Sequence, residues 1–324
     1  RRAAGLASRV VTIRMTVQRE RWWQHAAQVA STTPGLVPVV KGNGYGFSRA
    51  GLASIAVELS PLIAVGTVHE LHDLPAEAVP VVLTPTLRMP PEQPEGHHPP
   101  VLTVADPLHV EVLAGRGYQV IVKLTSSMQR YGTDPERAMA LVAHAQQVGL
   151  RTVGVALHLP LAGDDHARRA EIVGWLPHID PSLDVWVSHL APDTYAGLPG
   201  THQYKLRVGS YLWHGDRSTL KLEADVIQTR AVSAGDTAGY RHSRAPGDGT
   251  LVMIGAGTAA GVYPLEGGDS PFHFARHRLP LLEPPHMHTS MAFVPADRPT
   301  PTLGDWVDLQ RPLSQTAVDE LVWV

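Results

Sequence analysis

Eight short apolar runs recur through the first two thirds of this 324-residue chain, and helix-like segments separate them. The runs are LVPVVK (36–41), LIAVGTV (62–68), VPVVLT (79–84), VLTVAD (101–106), VIVKL (120–124), VGVALHL (153–159), VWVSHL (185–190) and the weaker KLRVGS (205–210). Near-continuous apolar strands are buried on both faces, which implies a parallel sheet covered by helices. The intervening helical patterns include RAGLASIAVEL (49–59), PLHVEVLAGRG (107–117) and PERAMALVAHAQQVG (135–149). Eight units are the count of a (β/α)8 TIM barrel; the pattern alone leaves a doubly wound open sheet as the alternative. Near residue 217 the character changes. LKLEADVIQTRAV reads as a half-exposed strand, SAGD and PGDG read as turns, and helical patterning returns only in SQTAVDELVWV (314–324). The expected organisation is a barrel over 1–217 followed by a smaller, mainly-β C-terminal domain over 218–324. Residues 10–17 (VVTIRMTV) read as a strand before the barrel and are a candidate to pair with the β domain. RMPPEQPEGHHPP (88–100) reads as a proline-rich surface loop.

Hydrophobic residues make up 44% and charged residues 18%, enough to build a large core. The net charge of -3 offers no basic field for nucleic acid or an anionic membrane. The chain has no cysteine, so disulfides, thiolate nucleophiles and cysteine-held metals are excluded. No apolar run approaches a membrane span, and the basic opening RRAAGLASRVVTIRM lacks a signal-peptide core. The expectation is a soluble, cytoplasmic protein.

One run ends in chemistry. LVPVVKGNGYGFSRAG places Lys41 at a strand end, before a glycine-rich turn carrying Tyr45. A solvated strand-end lysine needs no such open turn. A lysine that holds a flat, phosphorylated cofactor is the alternative that such a turn suits, since glycines 42, 44 and 46 let the backbone turn closely around Tyr45.

VVKGNGYG resembles the cofactor motif of the alanine racemase family, Val-Val-Lys-Ala-Asn-Ala-Tyr-Gly. Further resemblances follow in the family's order: VIVKLTSSMQRYG, GVALHLPLAGDD, RVGSYLWHG, GDTAGY, IGAGTAAGV and HMHTSM. The resemblance implies a fold-type III enzyme dependent on pyridoxal 5'-phosphate (PLP), acting as an amino-acid racemase on alanine or another small amino acid. It implies a homodimer with shared active sites, and no nucleic-acid or membrane partner.

Residue by residue, the resemblance makes Lys41 the Schiff-base lysine and one acid/base. Tyr240 is the second, from the other subunit, because racemisation removes a proton on one face and delivers it on the other. Tyr45, Gly209 and Ser210 are implied to hold the phosphate. Arg207 is implied to face the pyridine nitrogen and keep it unprotonated, since an arginine does not give up its proton. His158 packs beside the cofactor ring. Arg130 meets the ring hydroxyl and the substrate carboxylate, and Lys123, often carbamylated in the family, supports it. Met287 lies at the substrate wall. Plain alternatives stand beside each: a solvated Lys41, a salt-bridged Arg207, a structural His158, a Tyr240 packed at a β turn.

Several positions depart from the family pattern. Asp193 stands where a serine binds phosphate, unless Thr194 takes over. Thr258 and Ala260 replace a tyrosine and an aspartate, and His288 replaces another aspartate. Thr125, Ser126 and Ser127 replace Asp-Thr-Gly, and the chain lacks a late tyrosine. These changes suit altered substrate choice, reduced activity or a divergent paralogue. The alternatives are another PLP reaction such as decarboxylation, a PLP-carrying protein without turnover, or a degenerate homologue. His286 and His288 alternate along one strand, but no third ligand is evident, and no metal site is expected.

Overall fold

The protein was analysed as a computed structural model that describes residues 12–324. The basic opening segment and the first two residues of the strand expected at 10–17 lie outside the described residues. The chain divides into two compact units. One comprises residues 23–44 and 48–215; the other comprises the described residues up to 22, with 45–47 and 216–324.

Strand β1 (Ile13–Val17) and helix α1 (Arg19–Ser31) come first. The barrel strands follow: β2 (Leu36–Pro38), β3 (Leu62–Val65), β4 (Val79–Val82), β5 (Val101–Val104), β6 (Gln119–Lys123), β7 (Arg151–Ala156), β8 (Asp184–Ser188) and β9 (Tyr204–Val208). All eight are parallel, in the order β2-β9-β8-β7-β6-β5-β4-β3. A parallel bridge between Val39 and Ala64 closes the ring, and the Val40 N–H donates to the Ala64 carbonyl at 2.9 Å. The sheet is therefore a barrel and not the open alternative. β5 is buried at every position, as a strand covered on both faces must be.

Six helices alternate with or follow these strands: α2 (Arg49–Ala56), α3 (Pro107–Leu113), α4 (Pro135–Gln147), α5 (Asp165–Trp175), α6 (Pro192–Ala196) and α7 (Ser210–His214). Their starts are written in side chains. Asp106, Asp134 and Asp164 cap α3, α4 and α5 by accepting the N–H of Leu108, Arg137 and Ala167. Proline opens α3 and α4, where its missing N–H costs nothing. α4 buries Ala138, Leu141, Val142 and Ala145, the i, i+3, i+4, i+7 stripe of an amphipathic helix. Among the described residues, no helix is long and apolar enough to cross a membrane.

The second unit is built on β10 (Leu220–Val232), which pairs antiparallel with β1. An irregularity between Val226 and Gln228 re-aims β10, so that its second half pairs with β13 (Gly249–Ile254). The short strands β11 (Thr237–Ala238) and β12 (Ser243–Arg244) form a hairpin of their own. β14 (Phe272–Phe274), β15 (His277–Arg278), β16 (Ser290–Pro295) and β17 (Trp306–Leu309) complete the antiparallel sheet. Leu251 and Phe293, on β13 and β16, are the centre of a small core with Ala245.

The helical patterning expected at 314–324 is corrected. Leu313–Gln315 forms one short 3-10 turn, and β18 (Glu320–Trp323) is a strand parallel to β1. Pairing to β1 overrides the local pattern. The Asp319 carboxylate accepts the N–H groups of Thr12 and Ile13 at 3.1 and 2.8 Å and so sets the register. Trp323 then packs its ring 5.4 Å from that of Trp22 and 6.0 Å from that of Phe47. Replacing Trp323 by alanine should cost about 2–3 kcal/mol, below the range for a fully buried aromatic because the site is half-buried. Urea unfolding measures this; a loss under about 0.5 kcal/mol, the size of an ordinary surface change, would mean that the aromatic cluster does not hold β18.

Candidate active site

The barrel strands deliver their last residues to one rim, and the cations of the sequence motifs gather there. Lys41 follows Val40, the last residue bonded across the barrel seam. The turn after it is folded tightly: the Gly44 N–H donates to the Lys41 carbonyl at 3.2 Å, and Arg49 reaches back to the Gly42 carbonyl. Gly44 has φ 64, and a Cβ there would strike the backbone of Arg49, so glycine is required.

Glu70, which the sequence motifs do not single out, clamps this turn. Its carboxylate accepts the Gly42 N–H at 3.1 Å and the Gly66 N–H at 2.6 Å, tying the end of β2 to the end of β3. Arg49 lies 3.8 Å from the same carboxylate and also pairs with Asp73. The Lys41 side chain reaches solvent, yet crowding by protein lowers the proton affinity of its amine below that of an ordinary lysine. Arg130 and Arg207 lower it further, and Glu70 opposes them.

Lys123 ends β6 and is buried. Burial holds its pKa well below the ordinary lysine value, and Arg207 and Arg130 act in the same direction. Among the described residues, no carboxylate lies within ion-pair distance of it. Arg130 sits in the loop that returns from β6. That loop is closed by the Thr125 N–H on the Thr133 carbonyl and the Thr133 N–H on the Lys123 carbonyl, both at 2.8 Å. The Arg130 guanidinium lies 4.5 Å from the centre of the Tyr131 ring. Ser126 occupies the region where the sequence departs from Asp-Thr-Gly, and its hydroxyl donates to the His158 carbonyl at 2.6 Å.

Arg207, on β9, is buried and held by carbonyl oxygens at the ends of its neighbours. It donates to Leu157, to Val187 at 3.3 Å and to Trp186 at 3.5 Å. Burial lowers its pKa to about 10, so it stays cationic at neutral pH. His158 Nδ1 is hydrogen-bonded to the Ser188 hydroxyl at 2.9 Å, and its ring lies 4.8 Å from that of His189. Burial first, then Arg207, Lys123, His189 and Arg130, bring the His158 pKa down to about 2. His158 is thus a neutral imidazole, unable to serve as a cation at neutral pH.

Gly209 and Ser210 open the short helix α7. Gly209 is half-buried, Ser210 is exposed, and the Trp213 indole fixes the helix by donating to the Val39 carbonyl at 2.8 Å. Asp193 lies exposed in the first turn of α6. The neighbouring Thr194 is half-buried, and Asp165 accepts the Ala191 N–H at 2.7 Å and pairs with Arg168 at 2.8 Å.

The remaining sequence-derived positions belong to the second unit. Tyr45 is buried with φ 57, and the neighbouring Gly46 approaches Leu313 and Met15. Tyr240 stands on the turn between β11 and β12 and is 86% exposed. Met287 is also exposed, and its carbonyl accepts the Ala259 N–H at 2.9 Å. His288 is exposed, whereas His286 bonds Glu283. Among the described residues, no three His, Cys, Asp or Glu side chains are grouped to hold a metal.

The structure thus brings Lys41, Lys123, Arg130, His158 and Arg207 together at the rim of the barrel, with the Glu70 carboxylate acting on Lys41. An anionic group fits this surplus of positive charge better than a cationic one does.

Comparison with known proteins agrees with this fold. No protein of curated function matches the sequence. Among solved structures, the alanine racemase of Bartonella henselae, described with covalently bound pyridoxal phosphate, superposes with a TM-score of 0.72 at 18% identity, covering 97% of this chain and 99% of its own. The alanine racemase of a D-cycloserine-producing Streptomyces lavendulae gives 0.71 at 17% identity, covering 98% of each chain. That of Bacillus anthracis, with bound L-Ala-P, gives 0.72 at 20% identity, covering 97% of this chain and 88% of its own. At these identities the likeness shows the fold, a TIM-like barrel with a mainly-β C-terminal domain. The family profile of the alanine racemase N-terminal domain matches residues 18–214, and the chain belongs to that family.

Proposed function

We propose that this protein is a PLP-dependent racemase of alanine or another small amino acid, working as a homodimer. The observation that carries the reading is the Lys41 amine at the end of β2, its proton affinity lowered by burial and by Arg130 and Arg207. A lysine at a barrel strand's C-terminal end, with its proton affinity lowered, is suited both to attach a carbonyl cofactor and to move a proton.

When bound, pyridoxal phosphate supplies the electron sink that acidifies the substrate's α C–H bond. The chain's own residues then have distinct tasks. Lys41 Nζ exchanges a proton with Cα on one face, and the Tyr240 hydroxyl does so on the other. Arg207, immobilised by three strand-end carbonyls, is assigned to the ring nitrogen, which it keeps unprotonated because it holds its own proton. That weakens the electron sink and favours simple proton exchange over transamination. Neutral His158 is assigned to pack beside the ring. Tyr45, Gly209 and Ser210 are assigned to the phosphate. Arg130 is assigned to the ring hydroxyl and the substrate carboxylate, and Met287 to the substrate wall. Lys123 is buried among cations with its amine tending to the neutral form, the state that combines with carbon dioxide. As a carbamate it would give Arg130 and Arg207 the anion that they lack.

Borohydride treatment of protein incubated with pyridoxal phosphate should fix the cofactor to the peptide containing Lys41, read by mass spectrometry, and Lys41→Ala should abolish the label. A protein that takes up no pyridoxal phosphate, or is labelled equally after Lys41→Ala, contradicts the assignment. Mixing tests the shared sites. Lys41→Ala and Tyr240→Phe should each lose about 10²-fold or more in activity. After subunit exchange, one site in each mixed dimer joins an intact lysine to an intact tyrosine, and activity should return. Confirmed exchange without recovery would place both groups of a site in one chain.

A further inference from the structure

The turn that carries Tyr240 is organised around a buried carboxylate. Glu283 is 5% exposed and uses both oxygens on this turn. Oε1 accepts the Tyr240 N–H at 3.0 Å; Oε2 accepts the Arg241 N–H at 3.1 Å and lies 3.4 Å from the Ser243 hydroxyl. The His286 ring is bonded to Oε1 through Nε2, and the face of that ring lies against Tyr240, with centroids 4.5 Å apart at 46°. Gly239 makes room: it has φ 77, and a Cβ on it would collide with the Glu283 carboxylate. Burial works to raise the Glu283 pKa, but the bonds from His286, Arg241 and Tyr240 outweigh it, so the group is ionised at neutral pH.

A buried carboxylate is costly unless its bonds are satisfied. Here every bond goes to the turn or to the ring against Tyr240. Packing of the small core does not require it, since Ala245, Leu251 and Phe293 supply that. The expenditure is concentrated on one side chain, a phenol that is 86% exposed on the four-residue turn between two short strands and would otherwise be mobile.

We propose that Glu283 and His286 are positioning residues for Tyr240: Glu283 fixes the backbone at 240–241, and His286, held by Glu283, buttresses the phenol ring so that its hydroxyl is presented in one orientation. This rests on the reading of Tyr240 as the second proton-transfer group. A small displacement of such a group costs rate steeply and leaves substrate binding nearly unchanged.

The test pairs a measurement on the cofactor-free protein with a mutant cycle on the loaded one. Glu283→Gln puts an amide NH2 opposite one of the two backbone N–H groups and weakens the bond to His286. Amide hydrogen exchange at Tyr240 and Arg241 should accelerate about tenfold or more, with β13 and β16 unchanged. In the loaded enzyme kcat should fall about 10–100-fold with KM changed less than about twofold. Added to Tyr240→Phe, Glu283→Gln should cause no further loss, because it acts through the phenol. Unchanged exchange, or losses that multiply in the double variant, would overturn the proposal. A slow Tyr240→Phe beside a fully active Glu283→Gln overturns it alone, whereas a wild-type rate for Tyr240→Phe overturns the reading of Tyr240 and the proposal with it. If Glu283→Gln does not fold, His286→Gln, which removes the ring and keeps a donor for Glu283, goes through the same cycle with the same criteria.

Discussion

Positive charge crowded at the ends of parallel strands is the constraint on which the rest of this site depends. Arg207 and Lys123 are buried, Lys41 and Arg130 act on the same space, and Glu70 is the carboxylate that faces Lys41. Like charges in a desolvated rim repel one another, and the protein answers with fixed dipoles and lowered proton affinities. Carbonyls at the ends of β7 and β8 hold Arg207, while Lys123 and Lys41 are pushed toward their neutral forms. A bound anion would relieve the repulsion, which is why the proposed cofactor and the geometry of the rim belong to one explanation. The barrel makes this possible because all eight strands point their C-terminal ends the same way.

The same logic sets the local backbone. The Lys41 turn must pass close to α2, hence Gly44, and must stay joined to β3, hence the Glu70 clamp on Gly42 and Gly66. Glu70 therefore has two effects: it braces the turn, and its charge partly offsets the fall in the Lys41 proton affinity. In the second unit Glu283 braces the Tyr240 turn in a comparable way. Both proposed proton-transfer groups thus sit next to a turn whose N–H groups are gathered by a carboxylate.

Much of the fold was legible because burial on both faces leaves a plain trace, runs such as VIVK and VWVS. The helical patterns that begin at Pro107 and Pro135 were legible too, and the structure starts α3 and α4 there, each behind an aspartate cap. The final segment was not legible: its apolar spacing resembles a helix, and only β1 and Asp319, remote in sequence, make it a strand. Within the site, Lys41, Arg130, Arg207 and Lys123 were found through motifs, yet that no carboxylate among the described residues pairs with Lys123 is a fact of three dimensions. Glu70 escaped notice because VHEL reads as an ordinary surface turn. Glu283, between a leucine pair and a proline pair, gives no sign of the hydrogen bonds it makes to a turn some forty residues earlier.

The central claim is that this rim and Tyr240 exchange a proton at the α-carbon of a small amino acid. It is tested most directly by incubating the protein, with pyridoxal phosphate, in deuterium oxide with L-alanine and with D-alanine, following the α-hydrogen by NMR and the enantiomer by chiral separation. The account predicts that deuterium enters Cα as the opposite enantiomer appears, from either starting form, and that both processes stop in Lys41→Ala. Failure to exchange the α-hydrogen of alanine and of every other small amino acid, by protein shown to carry the cofactor, would contradict it.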